Sequence, residues 1–441
     1  MKRTAYNELL EWKASPRRKP LLLYGARQVG KTWLLREFGK NEYRDVLYLN
    51  FDTEPDIHRY FSGSITPSHI IAGLEAHFGR KIVPADTLLI FDEIQECQRA
   101  KDALKYFHED APQYHIAAAG SFLGIAQGKF PVGQVDEITL RPLSFYEFLE
   151  ATGAVILLEN IKKFDRSMIP AMSITAESKL KEYMYIGGMP EAVNAYLETG
   201  VLFDTRKTQE KILNNYKNDF TRHIKGTDIP KVRMLWDSIP VHLSKEKKKF
   251  MYKEIRMGAR AAAYENALDW LVNTGLVYKV DRVNDAKLPL AAYADREAFK
   301  IYMLDTGLLS AAAGLDIKTF FYPDPLVFKE FKGAITEQFV LQELKTLKTR
   351  SLGRLPVCYW GRDEGKSEVD FVVQWQNEVI PIEVKSGIHK RSKSLEIYRD
   401  LYNPVHAVRT TLNNFGIEDS SFSIPLYMIA SFMDILAAAS A

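Results

Sequence analysis

At 441 residues the chain is long for a single core, and roughly three domains are expected. Its 46% hydrophobic, 12% aromatic and 26% charged residues exclude a disordered, collagen-like or low-complexity protein, and 59 basic against 56 acidic residues leave a net charge of +3, so any basic surface must be local. With only Cys97 and Cys358 present, a disulfide framework is excluded and a reducing compartment is expected.

The first ten residues, Met1 to Leu10, carry no apolar stretch behind their positive charges, so a secretory signal is not expected and a cytoplasmic location is. Leu21 to Tyr24 reads as a buried parallel strand, and Gly25-Ala26-Arg27-Gln28-Val29-Gly30-Lys31-Thr32 follows it directly, with a helical stretch over Trp33 to Phe38. This is the P-loop pattern. Gly25 and Gly30 let the backbone curl so that its N–H groups, at the positive end of the next helix, cradle a polyphosphate. Lys31 is expected to reach the β- and γ-phosphates and Thr32 to sit on Mg²⁺, while the other loop residues and Trp33 line the nucleotide.

Thr87 to Phe91 is a second apolar run, ending in Asp92-Glu93, where acids sit at the mouth of a parallel sheet. Read as Walker B, Asp92 holds the magnesium through water and Glu93 orients the attacking water as a catalytic residue; alone, such acids are equally expected as helix N-caps. Val46 to Leu49, His115 to Ala119 and Val135 to Leu140 complete a parallel sheet whose strands alternate with helices such as Arg99 to His108. Ser121 ends the strand after Walker B, where AAA-type ATPases place a polar sensor of the γ-phosphate; an N-cap serine is the alternative reading.

These motifs, with Asp92-Glu-Ile-Gln95, Gly120-Ser121, Arg141 to Glu147 and Gly187-Gly-Met-Pro-Glu-Ala192, resemble the prokaryotic AAA-like ATPases. Leu304-Asp-Thr-Gly-Leu-Leu309, Gly333 to Leu344, Glu368-Val-Asp-Phe371 and Glu383-Val-Lys385 extend the resemblance through nearly the whole chain. The resemblance implies an ATPase joined to a C-terminal domain of unknown function with a restriction-endonuclease-like fold. Family members often carry a Gly-Arg pair where this chain has Gly133-Gln134, so a nucleotide-sensing arginine is in doubt at that place.

From Gly153 to Thr227 the pattern is helical, broken at Gly187-Gly188 and Pro190, and looks like the lid of AAA-type proteins. Arg222 near its end could act on a neighbouring subunit's nucleotide in a homo-oligomer; a solvated helix arginine is the plainer reading. Lys231 to Val280 reads as a winged-helix module: a short helix over Tyr252 to Met257, a longer one over Arg260 to Asn273, and Gly275 to Val280 as the wing. Lys245, Lys247, Lys248, Lys249, Lys253, Arg256 and Arg260 face only Glu246 and Glu254 there, an excess suited to DNA phosphates or to a merely solvated face.

Near the C-terminus, Glu368 to Gln374 and Val379 to Lys385 form an expected hairpin turned at Gln376-Asn377. Alternation places Glu383 and Lys385 on one face, and Asp370 can join them from the partner strand. The spacing is that of PD-(D/E)xK nucleases, with Asp370, Glu383 and Glu337 as Mg²⁺ ligands and Lys385 activating water; an ordinary Glu383–Lys385 ion pair is the alternative. Ser423 to Ala441 reads as a strand, Ile424 to Ala430, and a closing helix rather than a membrane anchor.

The whole reads as an α/β protein: a P-loop ATPase core over 1–152, a helical lid over 153–227, a winged-helix module over 228–285 and a restriction-endonuclease-like domain over 286–441. The expected function is Mg²⁺-dependent ATP hydrolysis controlling a DNA-directed, nuclease-like domain. The alternative is an ATP-dependent scaffolding protein whose C-terminal domain binds protein.

Overall fold

The computed structural model describes all residues except 122–132, 225, 246–247, 322–328, 350–352, 363–366, 388–391, 413, 419 and 441, and only the backbone of 222, 223, 319, 329–331, 349 and 440. Glu246, Lys247 and the side chain of Arg222 thus lie outside the described residues. The chain divides into two compact units, Met1–Arg141 with Asn273–Gly275, and Pro142–Val272 with Leu276–Ala441. Residues 142–152, expected in the ATPase core, fall in the second unit.

The first unit is built on five strands, β1 (Leu21–Gly25), β2 (Asp45–Asn50), β3 (Thr87–Asp92), β4 (His115–Ser121) and β5 (Asp136–Thr139), in the order β2-β3-β4-β1-β5. Every pairing is parallel. The uninterrupted apolar runs explain this, because β1, β3 and β4 are buried along their whole length and therefore need cover on both faces. Helices Lys31–Glu42, Pro67–Phe78 and Gln98–Asp110 supply it. The first and last of these run longer than the apolar stretches that announced them. Phe51, Phe61 and Phe91 meet edge to face at 5.3–5.8 Å in the core under β3.

The second unit begins with helices Phe145–Ala151, Val155–Lys163, Ile169–Ile186, Pro190–Thr199, Leu202–His223 and Ile229–Leu243. Ser144 opens the first with a capping box, its hydroxyl accepting from Glu147 N while the Glu147 carboxylate accepts from Ser144 N. The break at Gly187 has a specific cause. Its φ is +77°, and a Cβ there would lie 2.1 Å from Asp305 Oδ1, so the turn requires glycine. Asp305, fully buried, accepts from Gly188 N at 2.6 Å and from Leu308 N at 3.0 Å, tying the Gly187-Gly188 motif to Leu304–Leu309.

An eight-stranded mixed sheet follows, with β6 (Val277–Val283), β7 (Ala294–Met303), β10 (Val357–Gly361), β11 (Glu368–Trp375), β12 (Glu378–Val384), β13 (Ala407–Thr411), β14 (Gly416–Glu418) and β15 (Ser421–Pro425); β8 (Lys348–Thr349) and β9 (Gly353–Arg354) pair separately. The order is β14-β15-β13-β12-β11-β10-β6-β7. This corrects the expected wing: Gly275 to Val280 contributes to β6, which pairs antiparallel with β7 and parallel with β10 inside this sheet. Val277, Tyr278, Val280 and Val283 are buried and Lys279, Asp281 and Arg282 half-buried, so no residue of the strand is exposed, a pattern that suits a sheet interior better than an exposed wing. The expected boundary at 285/286 therefore cuts a hairpin. The segment Tyr252 to Met257 is reduced to a 3₁₀ turn, Tyr252–Glu254, whereas the following helix, Ala261–Asn273, buries Tyr264, Leu268 and Leu271 as its spacing predicts.

The β11–β12 hairpin forms as expected, with Phe371 opposite Ile382 and Gln376 in the left-handed region at the turn. The strand expected over Ile424 to Ala430 stops at Pro425 and gives way to a 3₁₀ segment, Leu426–Ser431, before helix Phe432–Ser440. Leu426, Tyr427, Met428 and Ile429 are all buried in succession, which a two-faced strand alternation does not describe. Among the described residues no helix is long and apolar enough to cross a membrane.

Candidate functional site

β1 lies between β4 and β5, where the order of the first sheet reverses, and its C-terminal end carries the glycine-rich loop. A Cβ on Gly25 would lie 2.4 Å from Leu140 O and 2.8 Å from Val29 Cγ2, so the loop closes only around glycine. Gln28 and Gly30 have φ of +66° and +94°, turning the backbone into the helix Lys31–Glu42. Lys31 is only 8% exposed, and its ammonium donates to Gly25 O at 3.0 Å and Ala26 O at 2.9 Å. Burial lowers its pKa to about 8, against the opposing pull of Glu93 and Asp92.

The structure brings Thr32 and Asp92 together, Thr32 Oγ1 donating to Asp92 Oδ2 at 2.8 Å. Asp92 Oδ1 accepts from Glu93 N at 3.1 Å, and Glu93, at φ +50°, accepts from Gln95 Nε2 through its carboxylate. Ser121 is buried at the end of β4, opposite Gly25. Val29 is wholly buried, so only its backbone can face a ligand, and Trp33 is 46% exposed. Arg27 is half-buried, and its charge is near enough to depress that of Lys31.

Sequence reasoning passed over Tyr48. Its hydroxyl donates to Asp92 Oδ2 at 2.6 Å and accepts from Asn50 Nδ2 at 3.2 Å, while the Arg36 guanidinium lies 3.8 Å from its ring centroid. The signal was available: Tyr48 and Asn50 share one face at the end of β2, beside β3. The donor set suits a polyphosphate and Mg²⁺, since among the described residues the Lys31 ammonium donates only to backbone carbonyls, and Thr32 and Asp92 offer hard oxygens.

In the second unit Asp370, Glu337 and Glu383 come together with Lys385, as the spacing predicts, but cations the sequence did not announce accompany them. Lys248 ion-pairs with Glu337 Oε1, and Tyr302 OH donates to Glu337 Oε2 at 3.2 Å. Lys385 Nζ donates to Glu383 Oε1 at 2.6 Å, and Ser392 Oγ donates to the same oxygen at 2.8 Å. Asp370 Oδ2 accepts from Val384 N at 2.8 Å. Lys300, fully buried, lies 2.5 Å from Glu368 Oε1 as an ion pair without a well-directed hydrogen bond, and 4.8 Å from the Tyr359 ring centroid.

Burial, then the charges of Glu337 and Glu383, push the Asp370 carboxyl well above the usual range, against Lys300 and Lys248. Burial also opposes the charge of Glu337, but Lys248 and Lys300 hold its pKa below the ordinary value. Among the described residues no group of three or more His, Cys, Asp or Glu side chains is arranged to hold a metal ion. In this conformation Lys248 and Tyr302 hold the two oxygens of Glu337, Lys385 and Ser392 share Glu383 Oε1, and the backbone N–H of Val384 holds Asp370 Oδ2. Lys248, read in the sequence as one of a basic run suited to DNA phosphates or to a solvated face, is a half-buried ion-pair partner of Glu337. A lone lysine inside the apolar strand Ala298 to Met303 was the available sign of Lys300.

The first unit thus has the sheet, loop and acids of a P-loop nucleotide-binding domain. Residues 17–149 match the family model described as AAA domain, and this part of the chain is an AAA-like ATPase domain. Residues 177–319 and 332–429 match two domains of unknown function, DUF8612 and DUF4143, the former crossing the expected boundaries at 227/228 and 285/286. Uncharacterized protein MJ1637 of Methanocaldococcus jannaschii is 26% identical over 188 residues, so the chain matches only 38% of that protein's length and does so with 39% of its own. The Walker-type ATPase PABY2304 of Pyrococcus abyssi is 14% identical with a TM-score of 0.43, over 70% of this chain and 95% of that one. The Orc1 protein of Aeropyrum pernix, solved in complex with DNA, is 13% identical with a TM-score of 0.29, over 74% and 92%.

Proposed function

We propose that the chain is a Mg²⁺-dependent ATPase whose nucleotide state controls a DNA-directed, nuclease-like C-terminal part. The observation that carries the ATPase reading is the convergence of Lys31, Thr32 and Asp92 at the ends of β1 and β3. Bound ATP supplies the scissile phosphoanhydride and Mg²⁺ the charge neutralisation. Lys31 contacts the β- and γ-phosphates, Thr32 and Asp92 hold the metal, and Ser121 senses the γ-phosphate. Glu93, steadied by Gln95, orients the attacking water and accepts its proton.

The carboxylate cluster supports a divalent-metal role for Glu337, Asp370 and Glu383, because their oxygens are hard donors and Glu383 Oε2 is buried without a hydrogen-bond partner among the described residues. In that role Lys385 positions the attacking water. The ion pairs around the cluster favour a second reading, a scaffolding protein with a degenerate nuclease-like domain. ATP turnover measured with and without DNA, on wild type, Lys31→Ala and Asp370→Ala, tests both. Turnover that needs Lys31 and rises with DNA supports the first reading. Turnover indifferent to DNA, with no cleavage in Mn²⁺, moves the assignment to scaffolding.

A further inference from the structure

Glu337, Glu368, Asp370 and Glu383 lie close together, and three lysines, Lys248, Lys300 and Lys385, bring their ammonium groups among them. Two of these lysines belong to the sheet region itself, Lys300 on β7 and Lys385 just past β12. Lys248 does not. It arrives from the segment after helix Ile229–Leu243, and its side chain is 12% exposed against 8% for its partner Glu337. A long, flexible side chain from another element is thereby spent on a buried carboxylate.

The backbone just after Lys248 is anchored. Phe250 N donates to Phe299 O at 2.7 Å, adjoining Lys300 on β7, and the Phe250 ring stacks between His242 at 4.4 Å and Phe299 at 5.2 Å. His242 reaches Met251 O at 3.0 Å. Gly333 leaves its place on the helix bearing Glu337 without a side chain, and the atom nearest to a Cβ built there is Lys248 Nζ, at 3.8 Å. The segment therefore delivers one ammonium to one carboxylate. Glu383 Oε2, in a residue 3% exposed, has no hydrogen-bond partner among the described residues, so the cluster keeps an unused buried donor oxygen there even with all three lysines in place.

We infer that Lys248 is a tethered cation that occupies the carboxylate cluster in place of a divalent metal ion, and that its withdrawal opens a metal site formed by Glu337, Asp370 and Glu383. The inference rests on the metal role proposed for those carboxylates. An ammonium and a divalent cation compete for Glu337 because both neutralise it, and both cannot do so at contact distance without mutual repulsion. The segment that carries Lys248 thus sets metal affinity through its contact with one of the three ligands, Glu337.

The test uses the full chain, free of nucleotide, titrated with Mn²⁺ by calorimetry. Lys248→Met should bind Mn²⁺ at least about tenfold more tightly than wild type, the scale of an ordinary coupling between two ligands. Adding Asp370→Asn to Lys248→Met should abolish the gain. Because Lys248→Met leaves Glu337 unpaired and could impair folding, wild type is also labelled with an amine-acylating reagent and analysed by mass spectrometry. Lys248 should be protected without metal and become reactive as Mn²⁺ is added. Equal Mn²⁺ affinity in wild type and Lys248→Met, or Lys248 labelling that ignores Mn²⁺, overturns the gating role while leaving the metal site standing. Absence of Mn²⁺ binding to this cluster in every variant overturns the metal role as well.

Discussion

Tyr48 donates its hydroxyl to Asp92 Oδ2 at 2.6 Å, the same oxygen that accepts from Thr32 at 2.8 Å. The edge strand β2 thereby holds the Asp92 carboxylate from the side of β3 opposite β4 and β1. Tyr48→Phe removes that restraint and the longer hydrogen bond from Asn50, while the ring and its contact with Arg36 remain. The half-saturating Mg²⁺ concentration for ATP turnover should rise by about tenfold, the lower end of what loss of a partner to a metal ligand costs. Tm should stay close to wild type. An unchanged Mg²⁺ dependence would make the Tyr48 contact merely structural.

The buried Lys31 should leave a signature in stability against pH. Its folded pKa, about 8, lies below the ordinary lysine value of 10.5, so between these values the unfolded chain binds more protons than the folded one. Stability from this group therefore rises as pH climbs from about 8 towards 10.5, and the charged form is penalised below that window. Lys31→Met in the nucleotide-free protein should be more stable than wild type at pH 7, by a margin that shrinks as pH rises through the window, read as Tm differences. A margin independent of pH would show that Lys31 is not desolvated in solution.

Lys31 and Glu93 should also separate kinetically. Lys31→Ala removes the phosphate-binding cation and should abolish tight ATP binding. Glu93→Gln should keep ATP bound and slow hydrolysis by about a hundredfold or more, as expected for loss of a positioned general base. Equal loss of binding in both variants, measured with a fluorescent ATP analogue, would remove Glu93 from the water-orienting role.

Gly187→Ala should destabilise the second unit by about 2–4 kcal/mol, because it combines a left-handed backbone with a Cβ driven to within 2.1 Å of Asp305 Oδ1. Urea denaturation followed by tryptophan fluorescence reads this. Gly200, also at positive φ but with nothing within 4 Å of its Cβ, is the control and should lose about 1 kcal/mol.

Local chemistry was legible in the sequence where one short segment carries it. The P-loop, β3 with Asp92-Glu93 and the β11–β12 hairpin each declare themselves within a short stretch, because strand, turn and functional side chain are contiguous. What stayed hidden came from long-range pairing. β6 looks like the end of a helical module until β10, far along the chain, pairs beside it, and no periodicity in Gly275 to Val280 encodes that partner. Lys248 reads as one of a basic run, and only the fold assigns it to Glu337. Tyr48 was missed because an aromatic in a half-buried strand is ordinarily core.

The basic stretch accordingly divides. Lys248 is engaged with Glu337 and Lys245 with Glu254, whereas Lys253, Arg256 and Arg260 are exposed. If this face tracks DNA phosphates, the exposed three do the tracking. Replacing Lys253, Arg256 and Arg260 together with Ala should then weaken DNA binding and lower the slope of log affinity against log salt by about 0.9 for each phosphate that the variant no longer neutralises. Lys248→Met should leave that slope where it is, since its charge is already neutralised in the folded protein. Fluorescence anisotropy with a labelled duplex over a range of NaCl concentrations measures both. A slope unchanged in the triple variant would mark the stretch as a solvated face, and a slope lowered by Lys248→Met would mean that the lysine leaves Glu337 when DNA binds.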